Sequence, residues 1–555
     1  MLIPRGLLAD PAGSRREARP GLPGPFPAAA EVDVLVVGSG VAGLSAALAV
    51  PPGRTVLLAT KDRLGHSATR YAQGGIAAVL DLVDDSVAEH VADTLAAGAG
   101  LCDPVAVRTL VEEGGQAIAD LLARGVGFDS DPSGPRQLAR TREGGHSRSR
   151  VVHAGGDATG AHIVAALSAA LRADPRIELA EGERAVEVLV RDGRAAGLRT
   201  VAADSRVRER PARAVALASG GMGWLYRRTT NPPGATADGP ALAARAGAAL
   251  ADLELVQFHP TALALGEGPL ALVSEAVRGE GAVLRDARGR RFMPDEHPMA
   301  ELGPRDVVAR AIARRAAELG GEVTLDLRHL DPDAVRGRFP TVAGLCAEHG
   351  LDLARDPIPV TPAAHYAIGG VLADMAGRST LPGLFAVGEC AATGAHGANR
   401  LASNGLLEAA VLAAGAADAL AADGDEWPER PAVAAVPAPP EAGGGEAVRV
   451  ALQDAMWRGV GVERDAEGIA GAARTLGALP EGTDAGTDNL LLVARLAAAA
   501  AALRTESRGA HFRRDHPLPD PGQARRIAWA GDRPFHVSPT TPRARRRRAL
   551  AKEAA

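Results

Sequence analysis

One short stretch, VDVLVVGSGVAGLSAALAV from Val32 to Val50, constrains this chain more than any other. Val32 to Val37 is a continuous apolar run of the kind that suits a parallel strand buried on both faces. It enters Gly38-Ser39-Gly40-Val41-Ala42-Gly43, passes into the apolar helix LSAALAV, and is followed by TVLLA as a second strand. In such a βαβ frame the glycines permit a tight turn, close approach of the backbone to a pyrophosphate, and close helix–strand packing. The predicted fold class is therefore α/β, with a Rossmann-type dinucleotide-binding domain at the start of the folded region. One departure narrows the cofactor. After the second strand, where an acidic ribose ligand is expected, the chain reads Thr60-Lys61. That weakens a nicotinamide reading and places Lys61 to meet a phosphate, with Asp62 as a fallback ribose ligand or a plain turn residue.

At 555 residues the chain exceeds one hydrophobic core and implies two to four domains. A formal net charge of −5 gives no reason to expect nucleic acid or an anionic membrane as partner. The three cysteines, Cys102, Cys346 and Cys390, lack CxxC spacing, so neither a disulfide framework nor a metal site is expected, and a reducing cytoplasm fits best. Residues 1–30 are rich in Pro, Gly and Arg, lack the apolar core of a signal peptide, and read as a disordered extension. No run of eighteen apolar residues predicts a membrane span; the Ala-rich stretch 497–503 comes nearest.

Chemistry-bearing stretches recur along the chain. The run 67–78, SATRYAQGGIAA, sets paired glycines after hydroxyl groups and reads as a second cofactor contact or an ordinary loop. Residues 86–123 read as two amphipathic helices. TREGGHS, residues 141–147, packs Glu143 and His146 beside two glycines, as a binding loop or a solvated turn would. Residues 184–218 read as two strands, RAVEVLV and ARAVALAS, split by an Asp192-Gly193 hairpin turn. Asp238 either caps the helix that follows it or touches the cofactor. A strand from Glu254 to Phe258 ends in His259-Pro260, and Ser274-Glu275 follow in SEAVRGEG. A lone His is usually structural; beside these groups it joins a polar constellation.

Pro304 is expected in the first turn of a helix that opens on Arg305. A cation there sits against the helix macrodipole at a cost of up to about 1 kcal/mol. Arg305 is then either a surface residue paired with Asp306 or Glu301, or kept for a task. His365 lies in PAAHYAIGGV. A strand at Leu384 to Val387 leads through Glu389 to Gly397-Ala398-Asn399-Arg400 and on to Gly405-Leu406 at a helix mouth, a layout that presents backbone N–H groups to an anion or a ring carbonyl. The planar fork of Arg400 suits a carboxylate. Residues 421–444 read as a linker. Beyond them, helices at 445–458, 465–478 and 487–508 form a small bundle, and Arg543 to Arg548 make a basic tail.

Taken together, VVGSGVAGLSAAL, ATRYAQGGIAAV, TREGGHS, QFHPTAL, SEAVRGEGA, PRDVVARAI, PAAHYAIGGV and GECAATGAHGANRLASNGLLEAA resemble the L-aspartate oxidase branch of the succinate dehydrogenase/fumarate reductase flavoprotein family, over about residues 31–515. The resemblance implies a Rossmann-type FAD-binding domain (31–250 and 356–420) with an inserted α+β capping domain (251–355), a linker, a C-terminal three-helix domain (445–535) and a tail (536–555). It implies that Gly38, Ser39, Gly40, Val41, Ala42 and Gly43 hold the FAD pyrophosphate with Lys61 nearby. Ala68, Thr69, Arg70, Tyr71, Ala72, Gln73, Gly74 and Gly75 would follow the ribityl chain and ring, and Asp238, Glu389, Gly405 and Leu406 would complete the site. Respiratory relatives attach FAD to a histidine; here Ala68 precedes Thr69 at that place and His66 is offset by two residues, which implies non-covalent FAD.

The implied substrate is a four-carbon dicarboxylate, with Arg400 and His365 on one carboxylate and His259 and Ser274 on the other, Glu275 alongside. Ser274 stands where relatives often carry Thr, and the hydroxyl is kept. Glu143 would meet the substrate ammonium and Arg305 would act as acid/base. The implied reaction is oxidation of L-aspartate to iminoaspartate, with O₂ or fumarate as acceptor, at the head of NAD biosynthesis and with quinolinate synthase as a transient partner. A fumarate reductase or succinate dehydrogenase flavoprotein shares the core motifs; a flavin-binding protein without catalysis would not require Arg400, His259, His365 and Arg305.

Overall fold

The computed structural model of the protein describes residues 32–131, 134–202, 205–266, 268–422 and 444–537. The expected N-terminal extension, linker residues 423–443 and tail residues 538–555 lie outside the described residues.

The apolar run Val32–Val37 is the middle of the largest sheet, flanked in parallel by Val56–Thr60 and by the C-terminal half of Val207–Leu217. Ile177–Glu181 extends the sheet on one side, and Leu384–Ala386 pairs in parallel with Val215 to Leu217 on the other. The register sets Val37 opposite Ala59 and Leu217, and Leu217 opposite Ala386, so four parallel strands end at one level. The loops that follow these ends open on the face where α/β sheets bind ligands.

Three strands occupy residues 183–217, where the sequence reading has two. The Asp192-Gly193 turn joins Glu183–Arg191 to an added strand, Arg194–Ala202, which pairs antiparallel with the first half of Val207–Leu217. The added strand, RAAGLRTVA, is poor in β-branched residues and carries Gly197 at φ +142°, both of which weaken a local strand signal. Residues 86–123 likewise form three helices, Val87–Ala97, Pro104–Glu112 and Gly114–Ala123.

A second core belongs to an antiparallel sheet in the order Val256–Leu263, Ile358–Ala367, Val323–Asp326, Val283–Arg285. Val308 and Ile312 of the helix Arg305–Leu319 pack into that core with Phe292 and Phe339. Separate apolar cores mark separate domains. The first strand continues through Pro260 rather than ending there, because its ladder is irregular between His259 and Ala262 and spares the proline an N–H bond. The last strand, Ile358–Ala367, comes from residues that the sequence reading gave to the returning FAD-binding part.

The C-terminal helices are Gly445–Val460, Ala466–Ala478 and Ala485–Leu503. The third stops at Leu503, short of Gly509, where Arg504 turns extended and buries its guanidinium against Glu254 and Glu506. A hairpin, Ile527–Ala530 with Arg533–His536, then joins a sheet with Leu250–Ala251, Gly370–Leu372 and Ala391–Ala392. Among the described residues, Ala485–Leu503 alone is long and apolar enough to cross a membrane, but 72% of its apolar window is buried inside the fold. It is a core helix by its packing.

Candidate active site

Cofactor cradle and substrate groups meet along the ends of the parallel strands. Gly38 leaves the first strand at φ +109°, and a Cβ there would strike the Ala218 carbonyl. A Cβ at Gly43 would strike the Gly38 carbonyl, so helix Val41–Ala49 can lie this close only with glycine. Gly40 precedes that helix without a side-chain cap, and Thr69 Oγ1 accepts from Val41 N–H at 3.1 Å. The remaining amides of the first turn are positioned to meet an anion. Ser39 Oγ and Thr60 Oγ1 lie 3.0 Å apart beneath the turn. Gly74 has nothing nearer its would-be Cβ than 3.6 Å and Gly220 nothing within 4 Å, so the strand-end loops border open space. These are the features of a backbone cradle for a dinucleotide, and FAD fits it.

Lys61 is placed differently from expectation. Its ammonium donates to Asp238 Oδ2 at 2.6 Å and to Thr236 Oγ1 at 2.8 Å. Burial pushes its pKa down, while Asp238 opposes the shift. Asp238 is the first residue of helix Asp238–Arg245, not its cap, and Asn489 of the C-terminal bundle donates to its other oxygen at 2.9 Å. Burial raises the Asp238 pKa, but Lys61 and Arg184 hold it below the usual range. Ala68 to Tyr71 form a short 3₁₀ turn whose Ala68 and Thr69 are half-buried; Arg70 is exposed and Tyr71 is 61% exposed, so these two side chains face solvent. Asp62 and His66 are exposed and lie 3.5 Å apart. Glu389 is half-buried beside Gly221 and accepts from Ala367 N–H at 2.9 Å; burial pushes its carboxyl up to about 7.

The substrate candidates converge from two domains. Arg305 opens its helix with a buried side chain, donating from Nε to Glu275 Oε2 at 2.6 Å and from Nη1 to Gln257 Oε1 at 3.1 Å. Gln257 Nε2 in turn donates to Asn399 Oδ1 and to the Arg400 carbonyl, both at 2.8 Å. One amide thus ties the guanidinium of the capping domain to the backbone of the FAD-binding domain. Arg400 is 6% exposed, its guanidinium carbon lies 4.3 Å from the centre of the Tyr366 ring, and its Nε has no hydrogen-bond partner. Burial and the charge of Arg305 bring its pKa down to about 10, so it remains a cation at neutral pH.

His259 and His365 stack edge-to-face with ring centres 5.1 Å apart. Burial, then Arg305, push both imidazoles well below their usual pKa, leaving them neutral. His259 Nδ1 accepts from Thr261 N–H at 3.2 Å, which assigns the ring proton to Nε2 and makes that atom a donor. His365 Nδ1 lies 2.9 Å from Thr230 Oγ1. Ser274 caps helix Glu275–Gly279, with Oγ accepting from Ala276 N–H at 3.3 Å, which leaves its O–H as a donor. Burial raises the Glu275 pKa, but Arg305 and Arg278 hold the carboxyl below the usual range. Arg278 is fully buried and reaches Glu275 Oε1 at 3.5 Å. Glu143 is buried, accepts from Ser403 Oγ at 2.7 Å through Oε2, and leaves Oε1 without a partner. Gln73 donates to the Leu272 carbonyl at 2.7 Å and leaves its own Oε1 unpartnered. Buried acceptors left open cost about 1–3 kcal/mol each, which marks a place for a donor-bearing ligand.

Sequence reasoning missed Gln257, Tyr366, Arg278 and Ser403. For Gln257 a signal existed: it and His259 are two apart in a strand whose residues are all buried, so both face one side. His146 of the same loop as Glu143 turns inward instead, with Nε2 2.9 Å from the Ala402 carbonyl and Nδ1 3.1 Å from Arg150.

Comparison with known proteins agrees with this geometry. The FAD binding domain family matches residues 33–406, and the fumarate reductase flavoprotein C-terminal family matches residues 483–536. The chain is 48% identical to the L-aspartate oxidase of Streptomyces coelicolor, over 87% of this chain and 88% of that protein. It is 47% identical to that of Mycobacterium tuberculosis, over 90% of this chain and 95% of the relative. Among solved structures it resembles an E. coli quinol fumarate reductase (30% identity, TM-score 0.83, covering 92% of this chain and 98% of the other). It also resembles Mycobacterium smegmatis Sdh1 (31% identity, TM-score 0.77, covering 93% and 95%). The chain therefore belongs to the L-aspartate oxidases, FAD-binding oxidoreductases of the succinate dehydrogenase/fumarate reductase flavoprotein family.

Proposed function

We propose that the chain oxidises L-aspartate to iminoaspartate with non-covalently held FAD. The observation that carries this reading is Glu143: a buried carboxylate with one open oxygen, in the field of Arg400. A carboxylate at this place attracts an ammonium and repels a third carboxylate. Arg400 and His365 take one substrate carboxylate, and His259 Nε2–H and the Ser274 hydroxyl take the other. The ammonium faces Glu143 Oε1, which fixes which end of the diacid lies where. Arg305 is the acid/base, its orientation set by Glu275 and Gln257. Held at the turn of Gly38 to Gly43, FAD would supply the redox chemistry, a hydride equivalent taken from the substrate and two electrons returned to O₂, giving hydrogen peroxide, or to fumarate. Desolvation by the capping domain strengthens each of these charge contacts. Iminoaspartate hydrolyses in water, so a consuming enzyme close by, quinolinate synthase in NAD biosynthesis, fits its chemistry.

The test is aerobic: the FAD-loaded chain should form peroxide with L-aspartate. The rival, a succinate-oxidising or fumarate-reducing flavoprotein, has the two solved neighbours on its side; it is supported instead if succinate reduces the flavin and aspartate does not. Release of FAD by acid denaturation checks the non-covalent attachment implied by Ala68.

A further inference from the structure

Arg400 poses an electrostatic problem. It is a buried cation, yet no described residue forms an ion pair or a side-chain hydrogen bond with its guanidinium. A buried charge ordinarily demands a carboxylate. A direct carboxylate partner would occupy the N–H groups that a substrate carboxylate needs.

Glu389 and Glu143 offset its charge from a distance, and the nearest compensation comes through a ring. Gly405 leaves room for this stack, since a Cβ there would lie 3.0 Å from Tyr366 Cε2 and 3.1 Å from Arg400 Nη1. On the far side, Tyr366 O–H donates to Glu408 Oε2 at 3.0 Å. Glu408 is 1% exposed and lies on the helix Asn404–Ala422 that follows the Arg400 loop. Two further donors hold it: His396 Nε2 at 2.8 Å from Oε2 and Thr393 Oγ1 at 2.6 Å from Oε1. A phenol that donates to a carboxylate gains electron density on its ring, which deepens the attraction of the ring face for a cation.

We propose that Glu408 is a positioning residue for substrate binding: acting through the Tyr366 ring, it holds Arg400 charged and oriented while leaving its N–H groups free for a carboxylate. This rests on the reading of Arg400 as the carboxylate clamp. Glu408 is buried, and its carboxylate oxygens are taken by Tyr366, His396 and Thr393, so it acts through them.

The experiment uses the full-length, FAD-loaded protein with oxidised flavin, which cannot reduce fumarate, and titrates fumarate while following the flavin absorbance. Glu408→Gln and Tyr366→Phe keep the ring and remove only its polarisation by the carboxylate, so each should weaken fumarate binding by about threefold to tenfold, a part of what a cation–π contact in a dry site contributes. The double variant should be no worse than either single variant, because both changes break one chain of contacts. With L-aspartate, KM should rise while kcat stays within about twofold of wild type, as expected for lost uniform binding. Affinity near wild type in either single variant, or losses that multiply in the double variant, overturns the proposal. So does a purely structural outcome, in which FAD content or melting temperature falls while the folded fraction binds fumarate normally. Should Glu408→Gln fail to fold, Tyr366→Phe keeps the ring and its packing and decides the matter alone. Arg400→Leu separates the two levels: if it leaves fumarate affinity intact, the clamp reading fails together with this one; if it abolishes binding while the other variants do nothing, only the positioning role fails.

Discussion

Arg305 and Arg400 are two buried cations brought together from different domains, and they are neutralised in opposite ways. Arg305, on the capping side, carries a carboxylate at 2.6 Å and an amide oxygen at 3.1 Å. Among the described residues, Arg400, on the FAD-binding side, is in contact with an aromatic face at 4.3 Å and with no carboxylate. An arginine already tied to a carboxylate has a fixed direction and a partner with which to share a proton. An arginine over a ring keeps its forked donors free. The contrast teaches that the first suits chemistry and the second suits grip, although both were equally bare charges in the sequence.

The sharpest way to break this contrast is Arg305→Leu. If Arg305 moves the proton, kcat should fall by roughly 10²- to 10⁴-fold with FAD content and fumarate affinity retained, the range for a lost general acid/base. Arg400→Leu should do the reverse: FAD stays, and dicarboxylate affinity falls by roughly a hundredfold, as for a truncated buried charge contact. Titration of fumarate into both variants separates them: affinity is retained in Arg305→Leu and falls in Arg400→Leu, while turnover with aspartate reads the loss in kcat. Glu143→Gln should be smaller and selective. The Michaelis constant for aspartate rises roughly tenfold, as for one charged hydrogen bond, while fumarate binding is unchanged. Equal losses for both ligands would remove Glu143 from the ammonium role.

The smallest effect is on stability against pH. His259, His365 and His511 are buried and pushed well below their usual pKa, and His90 falls to about 4. The unfolded chain then binds protons that the folded chain refuses, so stability is lost as pH falls through about 6.5, at up to about 1.4 kcal/mol per pH unit for each such histidine. Glu389, raised to about 7, and Asp252, also raised by burial, act in the opposite sense, but they are two groups against six once the lowered His146 and His153 are counted. The melting temperature should therefore drop from pH 7 to pH 5; a flat or rising profile would show the histidines accessible to water.

Much of this was legible in the chain because its causes are local. The cradle needs β-branched residues, then glycines at close spacing, and Gly43 is required by the carbonyl of Gly38, a few residues away. Arg400, His259 and His365 stood out as a charge or an imidazole among small or apolar neighbours, and Arg305 as a cation set against its helix dipole. What stayed hidden depends on distant partners. Nothing near Lys61 in sequence announces Asp238, and nothing near Arg400 announces that Tyr366 would lie beneath it. The end of the third C-terminal helix at Leu503 follows from Glu254, about half a chain away, capturing Arg504. The strand Arg194–Ala202 has weak propensity and exists because its neighbours on both sides supply the ladder.

If charges from two domains close on an amino dicarboxylate beside FAD, the flavin itself reports it. Anaerobic mixing of the FAD-loaded chain with saturating L-aspartate, followed at the visible flavin band, tests it most directly. Complete bleaching is expected with L-aspartate, none on that timescale with succinate, and far slower bleaching with L-aspartate at the same concentration in Arg400→Leu. Bleaching by succinate alone, or bleaching by aspartate that survives loss of Arg400 unchanged, would contradict it.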